Sequence, residues 1–286
     1  MRNFTEEEFS ILYNAYVEEK RGLKYCSSLV HSTPETVKKE LKKRGIHIRT
    51  QKEAAIASNK NRALEKDETY FQRESPNMAW ILGFLASDGT VGKNNNRIKI
   101  GLAAKDVEIL YRIKEEMNLP IEPTLYTNNQ GYDCCTLQWT CEQHKKDLAK
   151  YSIVPAKTFI LKPPSELNRK YWIDYIRGYF DGDGSINLIK NGNGRGNGNL
   201  RWQVCSATKE ILEWIVNFLY EEYNIPKVNI QTEKKESGNF LYYIQYSSIS
   251  TRKIYTILYS TNSDMYLKRK KEHYEEILSE VKTLYN

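Results

Sequence analysis

The stretch Tyr175–Gly184, Tyr-Ile-Arg-Gly-Tyr-Phe-Asp-Gly-Asp-Gly, constrains the chain most, because an apolar run closes there on two carboxylates interleaved with glycines. As a helix it places Gly178 and Gly182 four residues apart on one face, where missing side chains let a second backbone approach closely. Such a face needs a partner, and the sequence holds one upstream. Trp80–Gly89, Trp-Ile-Leu-Gly-Phe-Leu-Ala-Ser-Asp-Gly, repeats the pattern with Gly83 and Ser87 as the small pair and Asp88 in the place of Asp183. The expectation is two like helices packed through Gly83, Ser87, Gly178 and Gly182. Their C-terminal ends would lie side by side, each carrying an Asp followed by Gly.

A helix C-terminus bears about half a negative charge and several carbonyls without intrahelical partners. A carboxylate on each of two abutting ends therefore makes a strongly anionic point. A hard divalent cation, Mg2+ or Mn2+, is the natural compensation, and it would activate a water or clamp a phosphate. The bland alternative makes both segments ordinary buried helices ending on glycine caps. One copy alone would favour that alternative; two copies aligned through glycine, small residue, Asp and Gly outweigh it.

On these residues, Ile81–Gly89 and Ile176–Gly184, the chain resembles a single-chain LAGLIDADG homing endonuclease with its two motifs. The second copy is the better match; in the first, Ala86 stands where the motif's earlier acid usually falls. The resemblance runs from about Pro76 to the C-terminus and leaves residues 1–70 unexplained. It implies that Asp88 and Asp183 are catalytic metal ligands, with Ser87 and Gly182 beside them in the metal site. It further implies a basic residue near each acid. Lys157, in Ile153-Val-Pro-Ala-Lys-Thr158, and Lys268, in Tyr266-Leu-Lys-Arg-Lys-Lys271, stand at comparable points, with Lys270 and Lys271 as rivals of Lys268. Their role would be to stabilise charge on the scissile phosphate or to polarise a water. The implied partner is double-stranded DNA, bound by a monomer that hydrolyses one phosphodiester per strand at a long asymmetric target and leaves short 3′ overhangs. A cleavage-deficient DNA-binding regulator and an intron-splicing maturase are the alternatives on the same fold. The presence of both acids argues against the regulator, and the lack of a splicing block after Met1 disfavours an intein.

Composition sets wider bounds. At 286 residues the chain has room for two domains, or for one large domain with an appendage. Its 43 basic against 36 acidic residues, with pI near 8.9, suit a polyanionic partner without requiring one. The five cysteines, Cys26, Cys134, Cys135, Cys141 and Cys205, include no Cys-x-x-Cys pair, and their odd number argues for a reducing compartment. His31, His47, His144 and His273 are too scattered for a zinc site or a His-metal nuclease motif. No signal peptide follows Met1, and no apolar run reaches the ~20 residues of a membrane span. The expectation is a cytoplasmic protein of bacterial, phage or organellar origin, with no membrane and no small-molecule cofactor.

Along the chain, residues 5–20 read as a helix with Phe9, Leu12, Tyr13 and Tyr16 as an apolar stripe, and Leu23–Val30 as a second. Thr33 and Pro34 start a third, Pro34–Arg44, ending at Gly45. Val37 and Leu41 share its inner face while Lys38, Lys39, Lys42 and Lys43 face out, as in the second helix of a helix-turn-helix. A solvated basic face is the equal alternative. Residues 1–50 thus form a helix-turn-helix-like DNA-binding domain, and 51–75 a linker with some helical tendency.

After the first motif, strands are expected at Thr90–Lys93 and Arg97–Leu102, a helix at Asp106–Met117, a hairpin from Pro123–Thr127 and Tyr132–Thr140, and a helix at Glu142–Lys150. The order recurs after the second motif. Strands Ser185–Lys190 and Leu200–Ser206 flank a Gly-rich loop at 191–198, Thr208–Tyr223 is helical, Val228–Glu233 pairs with Asn239–Ser247, and Ser250–Tyr259 and Met265–Val281 are helices. The repeat of about 100 residues is too long for a solenoid. The fold class is α+β: a pseudo-two-fold pair of αββαββα units, 76–165 and 166–286, whose antiparallel sheets form one DNA-binding saddle. Arg97, Lys99, Arg201, Gln203, Asn229 and Gln231 fall at alternating outward positions suited to base edges. Arg195, in a loop that is no Walker motif, is expected near a phosphate. The competing reading of these residues is a solvated sheet face.

Overall fold

The computed structural model describes residues 4–57, 67–190 and 196–284. The chain divides into two compact units, Met1–Asp67 and Glu68–Asn286. In the small unit, α1 (Glu6–Tyr13) opens on a reciprocal cap: the Glu8 amide donates to Thr5 Oγ1 at 3.1 Å, and the Thr5 amide to Glu8 Oε2 at 3.0 Å. The helix widens into a π-turn at Asn14–Glu18, followed by α2 (Leu23–Leu29) and α3 (Pro34–Lys43), which Thr33 caps. Leu12, Ala15, Tyr16, Cys26, Val30, Val37 and Leu41 form its core. Tyr13, expected in the buried stripe, lies on the stripe's edge and is 39% exposed, while Ala15 takes an inner place. Residues 51–57 are helical.

The large unit starts earlier than the sequence suggests. Tyr70 and Phe71, within the expected linker, are buried in its hydrophobic core. α4 (Pro76–Asp88) is capped by Ser75 and buries every residue from Met78 to Ala86, as a helix apolar on all sides must. Then come β1 (Gly89–Val91), β2 (Arg97–Ala103), α5 (Val107–Glu116), β3 (Thr124–Thr127), β4 (Asp133–Thr140) and α6 (Glu142–Lys150). The second half runs α7 (Trp172–Asp183), β5 (Gly184–Lys190), β6 (Gly196–Ser206), α8 (Lys209–Tyr223), β7 (Gln231–Lys234), β8 (Phe240–Ser247), α9 (Ser248–Tyr259) and α10 (Lys268–Leu284).

Each half holds a four-stranded antiparallel sheet, ordered β1-β2-β4-β3 and β5-β6-β8-β7. The expected α+β duplication is therefore the observed fold. Pairing fixes which residues share a face. Ile98 opposite Trp139 and Ile100 opposite Leu137 turn inward to the helices, as do Trp202 opposite Tyr246 and Val204 opposite Ile244. The intervening positions point away from the core, because successive side chains alternate across a strand. One continuous core joins both halves through α4 and α7.

Candidate functional site

The site begins with the contact between α4 and α7. A Cβ built on Gly83 would lie 2.0 Å from the Tyr175 carbonyl oxygen, and one on Gly178 would lie 2.0 Å from that of Trp80. Both are impossible contacts, so the backbones touch where the sequence placed its small residues. At the C-terminal ends, a Cβ on Gly182 would meet Ser87 Oγ at 1.9 Å and Asp88 Oδ2 at 2.9 Å. The four predicted interface residues thus pack together, and they bring the two helix ends into register. Asp88 is the last residue of α4 and Asp183 the last of α7, each followed by the glycine that opens a strand.

A lysine serves each end, Lys157 buried and Lys270 partly buried. Lys157, 8% exposed on a 3-10 turn at Lys157–Phe159, donates to Gly89 O at 2.5 Å and more weakly to Ser87 O at 3.4 Å. In the second half Lys270 donates to Phe180 O at 2.8 Å, Gly182 O at 3.0 Å and Gly184 O at 2.6 Å. Lys268, the residue expected there, is a correction: its side chain is 61% exposed and faces Glu108 and Glu272 at 4.0 and 3.9 Å. Lys268 is the first residue of α10, and the next half turn carries Lys270 inward. Helix register near a boundary decides this, and the run of lysines hides it in the sequence.

The charges at the two ends shift one another. Burial raises Asp88, while Lys270 and Lys157 oppose the rise. Asp183 is pushed up to about 6, first by desolvation and then by the charge of Asp88, although its outer surface is open to solvent. Burial lowers Lys157, and lowers Lys270 to about 8, with Asp181 and Asp88 pulling Lys270 the other way. The anionic point predicted from the sequence therefore carries two built-in cations, and a divalent ion is not its sole compensation.

The donor set still suits a hard cation. Two carboxylates sit beside the Ser87 and Gly182 carbonyls, each of which keeps a lone pair beyond its lysine contact, and Mg2+ prefers oxygen and retains waters. Among the described residues no group of three or more His, Cys, Asp and Glu side chains is placed to hold a metal ion.

The surroundings are unequal. Beside Asp88, Arg269 clasps the buried Asp106 with Nε and Nη2, both at 3.1 Å, and lines an open groove of about 450 Å³ with Asp88, Gly101 and Tyr126. Sequence reasoning missed this pair, since its members lie far apart in the chain. Asp181, the earlier acid of the second motif, lies wholly inside. It accepts from Trp80 Nε1 at 2.9 Å and from the Leu267 amide at 3.1 Å.

Of the predicted nucleic-acid contacts, Arg97 and Lys99 lie on the outward face of the first sheet, opposite Thr140 and Gln138. Arg201 and Gln203 lie on that of the second, where Gln245 Nε2 donates to Gln203 Oε1 at 2.7 Å. Gln231 pairs with Tyr243 on the same face. Asn229 is exposed but precedes β7, which begins at Gln231 and not at Val228. Arg195 lies outside the described residues. Lys38, Lys39, Lys42 and Lys43 are all exposed on α3 of the small unit. No described helix is long and apolar enough to cross a membrane.

Fold and site together define a class: a pseudo-symmetric α+β chain with paired acid-bearing helices between two antiparallel sheets. Residues 75–145, which span the first motif and the first sheet, match the family model described as LAGLIDADG-like domain. No curated protein matches the chain. Similar solved structures include the LAGLIDADG homing endonuclease I-LtrWI bound to target DNA, at 13% identity and TM-score 0.45 over 76% of this chain and 92% of that one. The LAGLIDADG meganuclease I-CpaMI bound to uncleaved DNA is 15% identical at TM-score 0.49, over 74% and 93%. I-SmaMI bound to an uncleaved DNA target in the presence of calcium ions is 13% identical at TM-score 0.47, over 75% and 92%.

Proposed function

We propose that the large unit is a site-specific, divalent-metal-dependent DNA endonuclease that hydrolyses one phosphodiester in each strand of a duplex. The observation that carries this reading is the juxtaposition of Asp88 and Asp183 at two helix ends locked by Gly83 and Gly178, each end served by a lysine that binds its carbonyls. The family-model match over the first half supports it. Asp88 and Asp183 would hold Mg2+, with the Ser87 and Gly182 carbonyls adjacent. The ion would supply Lewis acidity at the scissile phosphate and an activated water.

The chain's own groups do the rest. The outward sheet faces, with Arg97, Lys99, Arg201, Gln203 and Gln231, offer the donors and acceptors that discriminate base edges. Lys157 uses two of its ammonium protons on Ser87 O and Gly89 O, which leaves one for a phosphate oxygen. Lys270 commits all three to helix-end carbonyls, so it contributes charge at fixed geometry unless it releases one. Both halves lie in one chain, so a monomer supplies both acids. Incubation with Mg2+ and DNA spanning the gene's insertion site, with the intervening sequence removed, tests the reading. A discrete double-strand cut is expected, and intact DNA under those conditions overturns it.

A further inference from the structure

The small unit carries charge that its own fold does not use. α2 and α3 are joined by residues 30–33, where His31 takes the left-handed conformation at φ 46° and the Ser32 amide bonds back to Ser27 O at 2.9 Å. Ser27, 5% exposed, turns its hydroxyl to Lys24 O at 2.8 Å, so no bulky side chain holds the helices apart there. Cys26 of α2 and Val30 just after it meet Val37 and Leu41 of α3 in the core. A helix pair joined by a short turn, with the second helix presenting its outer face, is the geometry that enters a major groove.

The outer face has matching chemistry. Lys38, Lys39, Lys42 and Lys43 are exposed opposite Val37 and Leu41, and among the described residues none of them pairs with a carboxylate. Arg44, by contrast, is withdrawn: it pairs with Glu40 and Glu6 at 2.9 Å and lies 4.0 Å from the Phe9 ring centroid. Two carboxylates near α3, Glu6 and Glu40, are spent on fixing that arginine. The lysines, spaced at i, i+1, i+4 and i+5, are left along one side of a rigid, capped helix.

We propose that α3 is a second DNA-reading element, which enters the major groove of duplex flanking the stretch bound by the large unit. The helix contacts DNA whatever the large unit does; its placement beside a cleavage target rests on the reading above. The chain carries one such unit for a pseudo-symmetric pair, so it serves one flank only. Lysines contact phosphates and guanine edges, and each neutralised phosphate adds about 0.9 to the slope of log K against log salt.

The test is selection of binding sites from a random-sequence duplex library by the full chain without divalent ion. It is repeated with a variant carrying Lys38→Gln, Lys39→Gln, Lys42→Gln and Lys43→Gln, and with the four-arginine counterpart. Wild type should select a site with an extra informative block on one flank. The glutamine variant, with unchanged melting temperature, should lose that block alone and lower the salt slope by about two to four units; the arginine variant should keep both. An identical block and slope in the glutamine variant overturns the proposal, whether the face is merely solvated or takes an acidic protein. Discrete Mg2+-dependent cutting without a flanking block sinks this proposal alone, and a flanking block without cutting sinks only the nuclease reading.

Discussion

The two halves of the large unit agree at the backbone and differ in the side chains that support it. Gly83 and Gly178, Asp88 and Asp183, and Lys157 and Lys270 occupy equivalent places, and the carbonyls that the lysines bind correspond too: Ser87 with Gly182, Gly89 with Gly184. Around this frame the halves diverge. Where α4 has Leu82 and Ala86, α7 has Arg177 and Asp181, both buried. Arg177 donates to Leu258 O at 3.2 Å, Ser263 O at 2.8 Å and Met265 O at 2.5 Å, and Asp181 accepts the Leu267 amide. These bonds pin the connection between α9 and α10, which delivers Lys270. The first half delivers Lys157 from a 3-10 turn entered through Ala156 in the left-handed conformation, and the apolar Leu82 and Ala86 of α4 have no side-chain donor or acceptor to hold it. The comparison teaches that the earlier acid of the second motif anchors a loop, while the later acid lies at the solvent-open helix end.

If the symmetric part is the frame, it should break alike from either side. Gly83→Leu and Gly178→Leu should each destabilise the protein by several kcal/mol, roughly the cost of gross overpacking, because both side chains would enter a facing backbone. Unchanged melting temperatures in both variants would mean that the helices do not meet there. Next in size, Asp88→Asn and Asp183→Asn should each abolish double-strand cleavage while leaving duplex binding within about tenfold, since the lost carboxylate acts on the transition state and not on the sheet contacts. Full cutting by either variant would end the metal-site assignment.

The lysines sharpen the comparison further. Lys157→Met and Lys270→Met should each slow cutting on the order of tenfold or more. Only Lys270→Met should also lower the melting temperature appreciably, because it strips three partly buried carbonyls of their donor where Lys157 has one short bond and one long. Lys268→Met should change neither. Equal behaviour of Lys268 and Lys270 variants would remove the distinction that the register of α10 draws.

The frame was legible because its determinants are local. A small-residue pair and a terminal Asp-Gly need only helical periodicity, and strand alternation placed Arg97, Lys99, Arg201 and Gln203 on the outward faces. What escaped depends on contacts distant in the chain or on one-residue register. Lys270 displaced Lys268 because helix phase near a start cannot be read from four basic residues in a row. Asp106 with Arg269 is a pairing of distant residues with no local signal. Tyr70 and Phe71 looked like linker because two aromatics in a polar stretch show no period, yet they are core.

Asp181 gives the smallest effect, and it turns on pH. Its carboxyl is 1% exposed and pushed up to about 6 by burial, against the pull of Lys270, Trp80, the Leu267 amide and Arg177. The native state therefore holds this proton more tightly than the unfolded chain, where an aspartate titrates near its ordinary value of about 3.9. Below that value Asp181 is protonated in both states and carries no ionisation penalty; as pH rises to about 6 the penalty develops, and above it stays constant. Asp181→Asn cannot ionise, so in metal-free protein the stability of wild type minus variant should fall by on the order of 1–3 kcal/mol between about pH 4 and 6 and then level off. Asp183 titrates over part of the same window, but it is present in both proteins and largely cancels. The first half supplies the control, since Ala86 at the equivalent position has nothing to titrate. A difference that stays flat or rises across the window, followed by thermal melts at several pH values, would mean that Asp181 ionises inside the fold as readily as in the unfolded chain. Its bonds to Trp80 and Leu267 would then be charge-assisted, and the anchor stronger than its burial implies.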